Sequence, residues 1–175
     1  MHSKNNEDCT LINRFSLPEK ILMRLAFYGF IIIGAYAIFS ASIVWGTIYS
    51  AFVIFGTAAV AWYLFCPHCP YPFKYETCLF FPAGIIKLFG RFRSEPMNMM
   101  EKAGAFAWFA GLIVIPQYWL FQNYILLTIF WVLALPLLAR FRIYICKRCR
   151  HFFCPLNAVD KNLSKEFGEE YLKFK

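Results

Sequence analysis

Six cysteines in this chain are spaced for chemistry. Cys66, Cys69 and Cys78 form one trio; Cys146, Cys149 and Cys154 form another. Each trio opens with a Cys-x-x-Cys pair, Cys66-Pro-His-Cys69 and Cys146-Lys-Arg-Cys149. The two-residue spacer lets both sulfurs of a tight turn face one ion. Two such pairs supply four thiolates, the ligand set of a tetrahedral zinc or single-iron site. Pro67 and Pro70 stiffen the first turn, and Lys147, Arg148 and Arg150 favour thiolate around the second. Cys66, Cys69, Cys146 and Cys149 are therefore the expected metal ligands. Cys78 and Cys154 are expected as supporting groups, alternative ligands or members of a larger cluster. Zinc is the expected ion, with iron or an iron–sulfur cluster, which also takes four thiolates, as the alternative. His68 and His151 lie inside the two motifs. His151 is the better ligand candidate, because His68 sits within a Cys-x-x-Cys turn, where a side chain points away from the ion. Cys9 stands alone and reads as a plain thiol.

Lipid is the medium in which the remaining residues must position these thiols. Hydrophobic residues make up 60 % of the 175 and charged residues 16 %, against about 45–50 % and about 25 % in ordinary soluble domains. A soluble globule of this size cannot hide that much apolar surface. Two stretches carry no Asp, Glu, Lys or Arg: 25–73 and 103–139, of 49 and 37 residues. A membrane-crossing helix takes about 20 residues, so the first stretch fits two spans and the second two short ones or one membrane-dipping hairpin. The expected fold is an all-α integral membrane protein with four transmembrane helices in two hairpins.

Along the chain this gives a polar N-terminal arm over 1–20 and a first hairpin over 21–65, with spans at 22–43 and 47–65 and a turn near 42–46. A cysteine-containing loop follows over 66–100. Its prolines, Pro67, Pro70 and Pro72, argue against helix there, and 79–93 reads as a short interfacial helix rich in Lys and Arg. The second hairpin covers 101–145, with spans at 101–117 and 124–143; the second cysteine motif and an amphipathic C-terminal helix complete 146–175. Ser16 with Glu19, and Asn98 with Glu101, have capping-box spacing at the starts of the first and third spans.

Orientation follows from the basic residues. All 18 Lys and Arg lie in 1–24, 74–102 and 140–175, and the two hairpin tips carry none. Basic residues concentrate on the cytoplasmic side, so both termini and both cysteine motifs are expected at the cytoplasmic face of an inner (plasma) membrane. In that reducing compartment structural disulfides are rare, and Cys-x-x-Cys pairs point to metal or redox chemistry. The net charge of +8 reads as an orientation signal and a partner for anionic lipid, with no nucleic acid required.

No acid, base or histidine falls in the interior of an expected span. That excludes a bis-histidine haem within the bilayer and argues against an ion-coupled pump. The leading expectation is a non-catalytic membrane anchor or complex subunit, clipped by metal and docked on a protein partner at its cytoplasmic face. The alternatives are an electron-transfer subunit carrying iron and a membrane thiol–disulfide oxidoreductase.

Overall fold

The computed structural model describes residues 11–152, 154 and 156–160. Among these, every regular element is helical. Cys9 and most of the expected amphipathic tail lie outside the described residues; 156–160 are described and are not helical.

Helix α1 (Leu17–Ala41) opens at a capping box. The Ser16 hydroxyl accepts the Glu19 N–H, and the Glu19 carboxylate accepts the Ser16 N–H at 3.1 Å. Pro18 falls in the first turn, where its missing N–H has no intrahelical acceptor to lose. The helix therefore starts about a turn and a half before the expected span and takes in Glu19 and Lys20. A single extended residue, Ser42 (φ −158°, ψ 121°), separates it from α2 (Ile43–Ala59). The expected five-residue turn thus contracts to one residue. Helix α2 runs on into a π turn over Val60–Leu64, closed by Phe65 N–H to the Val60 carbonyl at 3.0 Å.

The cysteine loop holds a 3-10 turn over Cys66–His68 and a short helix, α3 (Pro70–Lys74). From the sequence, three prolines argue against helix here. Pro70 and Pro72 occupy the first turn of α3, whose N–H groups would be unpaired anyway, so the prolines start this helix instead of breaking it. Helix α4 (Ala83–Phe89) is the core of the expected interfacial segment, bounded by Pro82 and Gly90.

Helix α5 (Met99–Val114) opens on the second capping box, with Asn98 and Glu101 exchanging hydrogen bonds of 2.8 Å. After Pro116 comes one short helix, α6 (Gln117–Leu120). Asn123 then caps α7 (Tyr124–Arg140), accepting the N–H groups of Ile125 and Leu126. Pro136 interrupts the α7 hydrogen-bond ladder, an interruption that membrane helices tolerate. Helix α7 also runs into a π turn, Phe141–Ile145.

Four segments are long and apolar enough to cross a membrane: Leu17–Ala41, Ile43–His68, Met99–Leu120 and Tyr124–Ile145. Their outward faces carry large apolar side chains; Phe55, Phe106 and Ile125 are each 73 % exposed. Water would not tolerate so much apolar surface on one small chain, whereas lipid does. Helix α1 is the central element, with 39 % of its apolar window buried against 17 % for the second and fourth segments. It packs on α2, α6 and α7. Phe30 meets Phe130 of α7 edge-on at 5.5 Å, and Phe27 packs among Phe80, Phe81 and Trp108. The buried Tyr49 hydroxyl ties α2 to α5 through the Leu112 carbonyl at 3.2 Å.

Candidate metal centre

Both cysteine pairs emerge from the same local device. Each follows a π turn, and the second turn is closed by Cys146 N–H to the Phe141 carbonyl at 2.9 Å. A π turn widens the helix by one residue and so re-aims whatever follows it. The Cys66–Cys69 turn is closed by Cys69 N–H to the Cys66 carbonyl at 3.0 Å. Asn157 fastens the second turn, its side-chain amide donating to the carbonyls of Cys149 (3.0 Å) and His151 (2.9 Å).

The ends of the four long segments gather around these turns. The start of α1 meets the end of α7 through Glu19 and Arg140 at 3.2 Å. The start of α5 meets the first cysteine turn through Glu101 and His68 at 3.4 Å. Arg24, one face of α1, donates to the carbonyls of Cys78 (3.1 Å), Leu79 (3.2 Å) and Phe81 (3.2 Å), which fixes the third cysteine of the first trio.

The thiols lie in two neighbourhoods with one link. The Cys69 thiol feels Cys66 and Cys78 of its own trio, and Cys149 feels Cys146 and Cys154. Across the trios, the Cys149 thiol raises Cys69, although 80 residues of sequence separate their motifs. The Cys78 thiol acts on Cys66, and the Cys154 thiol and Arg142 act on Cys146. All six are free thiols; Cys66 and Cys146 are buried, the others half-buried. Among the described residues, no three His, Cys, Asp or Glu side chains already surround one metal position.

Burial pushes the thiols up. Cys149 rises to about 12 and Cys146 to about 11, in each case with the neighbouring thiols adding to the effect of burial. Cys69, Cys78 and Cys154 are raised as well, chiefly by burial. Backbone N–H groups oppose this. Tyr71 donates to the Cys69 sulfur and His151 to the Cys149 sulfur, the latter at 3.5 Å. Cys78 receives Leu79, Phe80 and Phe81; Cys154 receives Leu156 and Asn157.

The two histidines differ. His68 is engaged on both ring nitrogens, Nδ1 with the Glu95 carbonyl at 2.8 Å and Nε2 facing Glu101. His151 is 1 % exposed, packs edge-on against Phe65, and its Nε2 has no hydrogen-bond partner. Burial, then His68, lowers it to about 3, so its ring is neutral at neutral pH.

Sequence reasoning missed Tyr71, the residue that joins the two turns. Its hydroxyl donates to the Ile12 carbonyl at 2.8 Å and accepts the Arg150 N–H at 3.2 Å. Ile12 N–H in turn donates to the Arg148 carbonyl at 2.9 Å, so the N-terminal arm straps both turns. Comparison with family models, characterised proteins and solved structures finds no match to this chain.

Proposed function

We propose an integral membrane protein in which the two Cys-x-x-Cys turns hold metal, zinc in the first instance and iron in the second. The metal sits at the cytoplasmic face and joins a first hairpin (21–65) to a second (101–145). The protein then serves as a membrane anchor or a subunit of a larger complex, docked through its basic inner face beside α4. The observation that carries this reading is the junction of the two turns, where the Tyr71 hydroxyl accepts the Arg150 N–H at 3.2 Å and the Ile12 carbonyl and N–H bond Tyr71 and the Arg148 carbonyl. N–H groups aimed at four of the sulfurs add support, since such donors stabilise thiolate.

Helices in lipid have little hydrophobic drive to associate, which gives a thiolate clip between hairpins a physical purpose. Elemental analysis and an absorbance spectrum of the purified full chain test the reading. About one or more zinc or iron ions per chain is expected. Visible bands that bleach with dithionite would move the assignment to iron and electron transfer. Metal-free protein that stays folded would overturn it.

A further inference from the structure

One side of α7 carries an apolar groove and a basic cluster that the metal reading leaves unused. The groove, of about 500 Å³, is lined by Leu127, Thr128, Trp131, Val132, Leu135 and Pro136. Val132 and Leu135 are 62 % and 56 % exposed. The Thr128 hydroxyl donates to the Tyr124 carbonyl at 2.8 Å, which leaves carbon as the main lining. At the far end of the same segment, two guanidiniums share one ring. Arg140 lies 5.3 Å and Arg148 4.8 Å from the centre of the Tyr144 ring, and Arg148 also donates to the Tyr144 hydroxyl at 3.3 Å. Arg142 and Lys147, both exposed, flank Tyr144 in the chain. Glu19 of α1 offsets Arg140 at 3.2 Å.

The two features are in register. Thr128, Val132, Pro136, Arg140 and Tyr144 recur at every fourth residue, the spacing of one ridge along a helix. At about 1.5 Å per residue, the groove begins about 6 Å from Arg140 and ends about 20 Å from it. That is about the depth of one acyl chain in a hydrocarbon core about 30 Å thick. Arg140 and Tyr144 stand near the end of the apolar segment Tyr124–Ile145, from which a long Arg side chain reaches the headgroups. We infer that this ridge binds one anionic phospholipid, with its phosphate on Arg140 and Arg148 and an acyl chain in the groove. Two cations on one ring favour an anion between them, and a guanidinium matches phosphate with paired N–H donors. A free phosphate would satisfy the arginines and leave the groove empty, whereas a zwitterionic lipid would fill the groove and bring no net charge. The inference rests on the fourth segment lying in lipid and is independent of any metal.

The test is native mass spectrometry of the purified full chain in detergent, titrated with phosphatidylglycerol, phosphatidylcholine or glycerol phosphate without acyl chains. Phosphatidylglycerol should bind roughly thirtyfold more tightly than phosphatidylcholine, the weight of two arginines at a headgroup, and glycerol phosphate should not displace it. The double variant R140Q/R148Q should lose most of that preference. V132W should weaken binding of both lipids, and K87Q/R91Q, at and just after α4, should change neither. Equal binding of the two lipids, a preference that R140Q/R148Q keeps, unaltered binding to V132W, or an equal loss in K87Q/R91Q overturns the site. Displacement by glycerol phosphate also overturns it, in favour of a soluble anion. If the double variant fails to fold, R148Q, which leaves the Glu19–Arg140 pair intact, decides by the same criterion.

Discussion

Tyr71 is the residue on which the two cysteine turns meet. Its ring is 3 % exposed and packs on Phe15 at 4.9 Å, while its hydroxyl bonds Ile12 and the Arg150 N–H. Tyr71→Phe keeps the ring and removes the hydroxyl, stranding two partly buried backbone groups. The expected cost is about 1–3 kcal/mol, read as a lower melting temperature of the full chain in detergent; an unshifted melt would show that the hydroxyl is not the joint. Nothing near Tyr71 in the sequence announces this role, because its partners lie 59 and 79 positions away. The capping residues Ser16 and Asn98 were legible for the opposite reason: each acts on a residue three positions on. The cysteines stand between these cases. Their spacing sets up the expectation of metal ligands, but their grouping depends on how two distant turns pack.

At the scale of elements, Arg24 and Gly56 decide how the helices reach the site. Arg24 spreads one guanidinium over three carbonyls of the segment around Cys78. Arg24→Lys keeps the charge but loses the fork of donors. A loss of about 2 kcal/mol is expected, with faster proteolysis of the chain around residues 76–82; unchanged proteolysis would mean that this segment is held by other contacts. Gly56 brings α2 against α5. A Cβ there would run into the Trp108 ring, which is 4 % exposed and wedged beside Phe109 at 4.8 Å. Gly56→Ala should therefore destabilise by about 1–3 kcal/mol. Gly84→Ala in α4, where a Cβ meets nothing within 4 Å, should be neutral or slightly stabilising. Equal melts for the two variants would contradict the packing. Existence and order of the four apolar segments could be read from the charge gaps. Their exact ends could not: Glu19 and Lys20 lie within α1 ahead of the expected span, Glu19 paired with Arg140, and no periodicity distinguishes a π turn from the α-helix it extends.

For the whole molecule, the remaining question is which side of the membrane the cysteine end faces. The start of α1 and the end of α7 meet there, with Arg24, Arg93, Arg140 and Arg150 all bonded within that region. The region of Trp45, Trp119 and Tyr118 has no such cations; Trp45 and Trp119 pack at 6.1 Å beside the polar residues Gln117 and Asn123. Basic residues favour the cytoplasmic side and aromatic pairs mark an interface. A cysteine introduced at the exposed Gln122 (Q122C) should therefore react with a membrane-impermeant maleimide in intact cells. One at the exposed Arg91 (R91C) should react only after permeabilisation, each measured over the labelling of the parent chain. The opposite pattern would turn the molecule over and place Cys66, Cys69, Cys146 and Cys149 in an oxidising compartment. There, pairs of this spacing would be expected as disulfides, and the metal reading would fall together with the orientation. Labelling at Gln122 alone keeps both, because a reducing cytoplasm is the condition under which these thiols stay available to an ion.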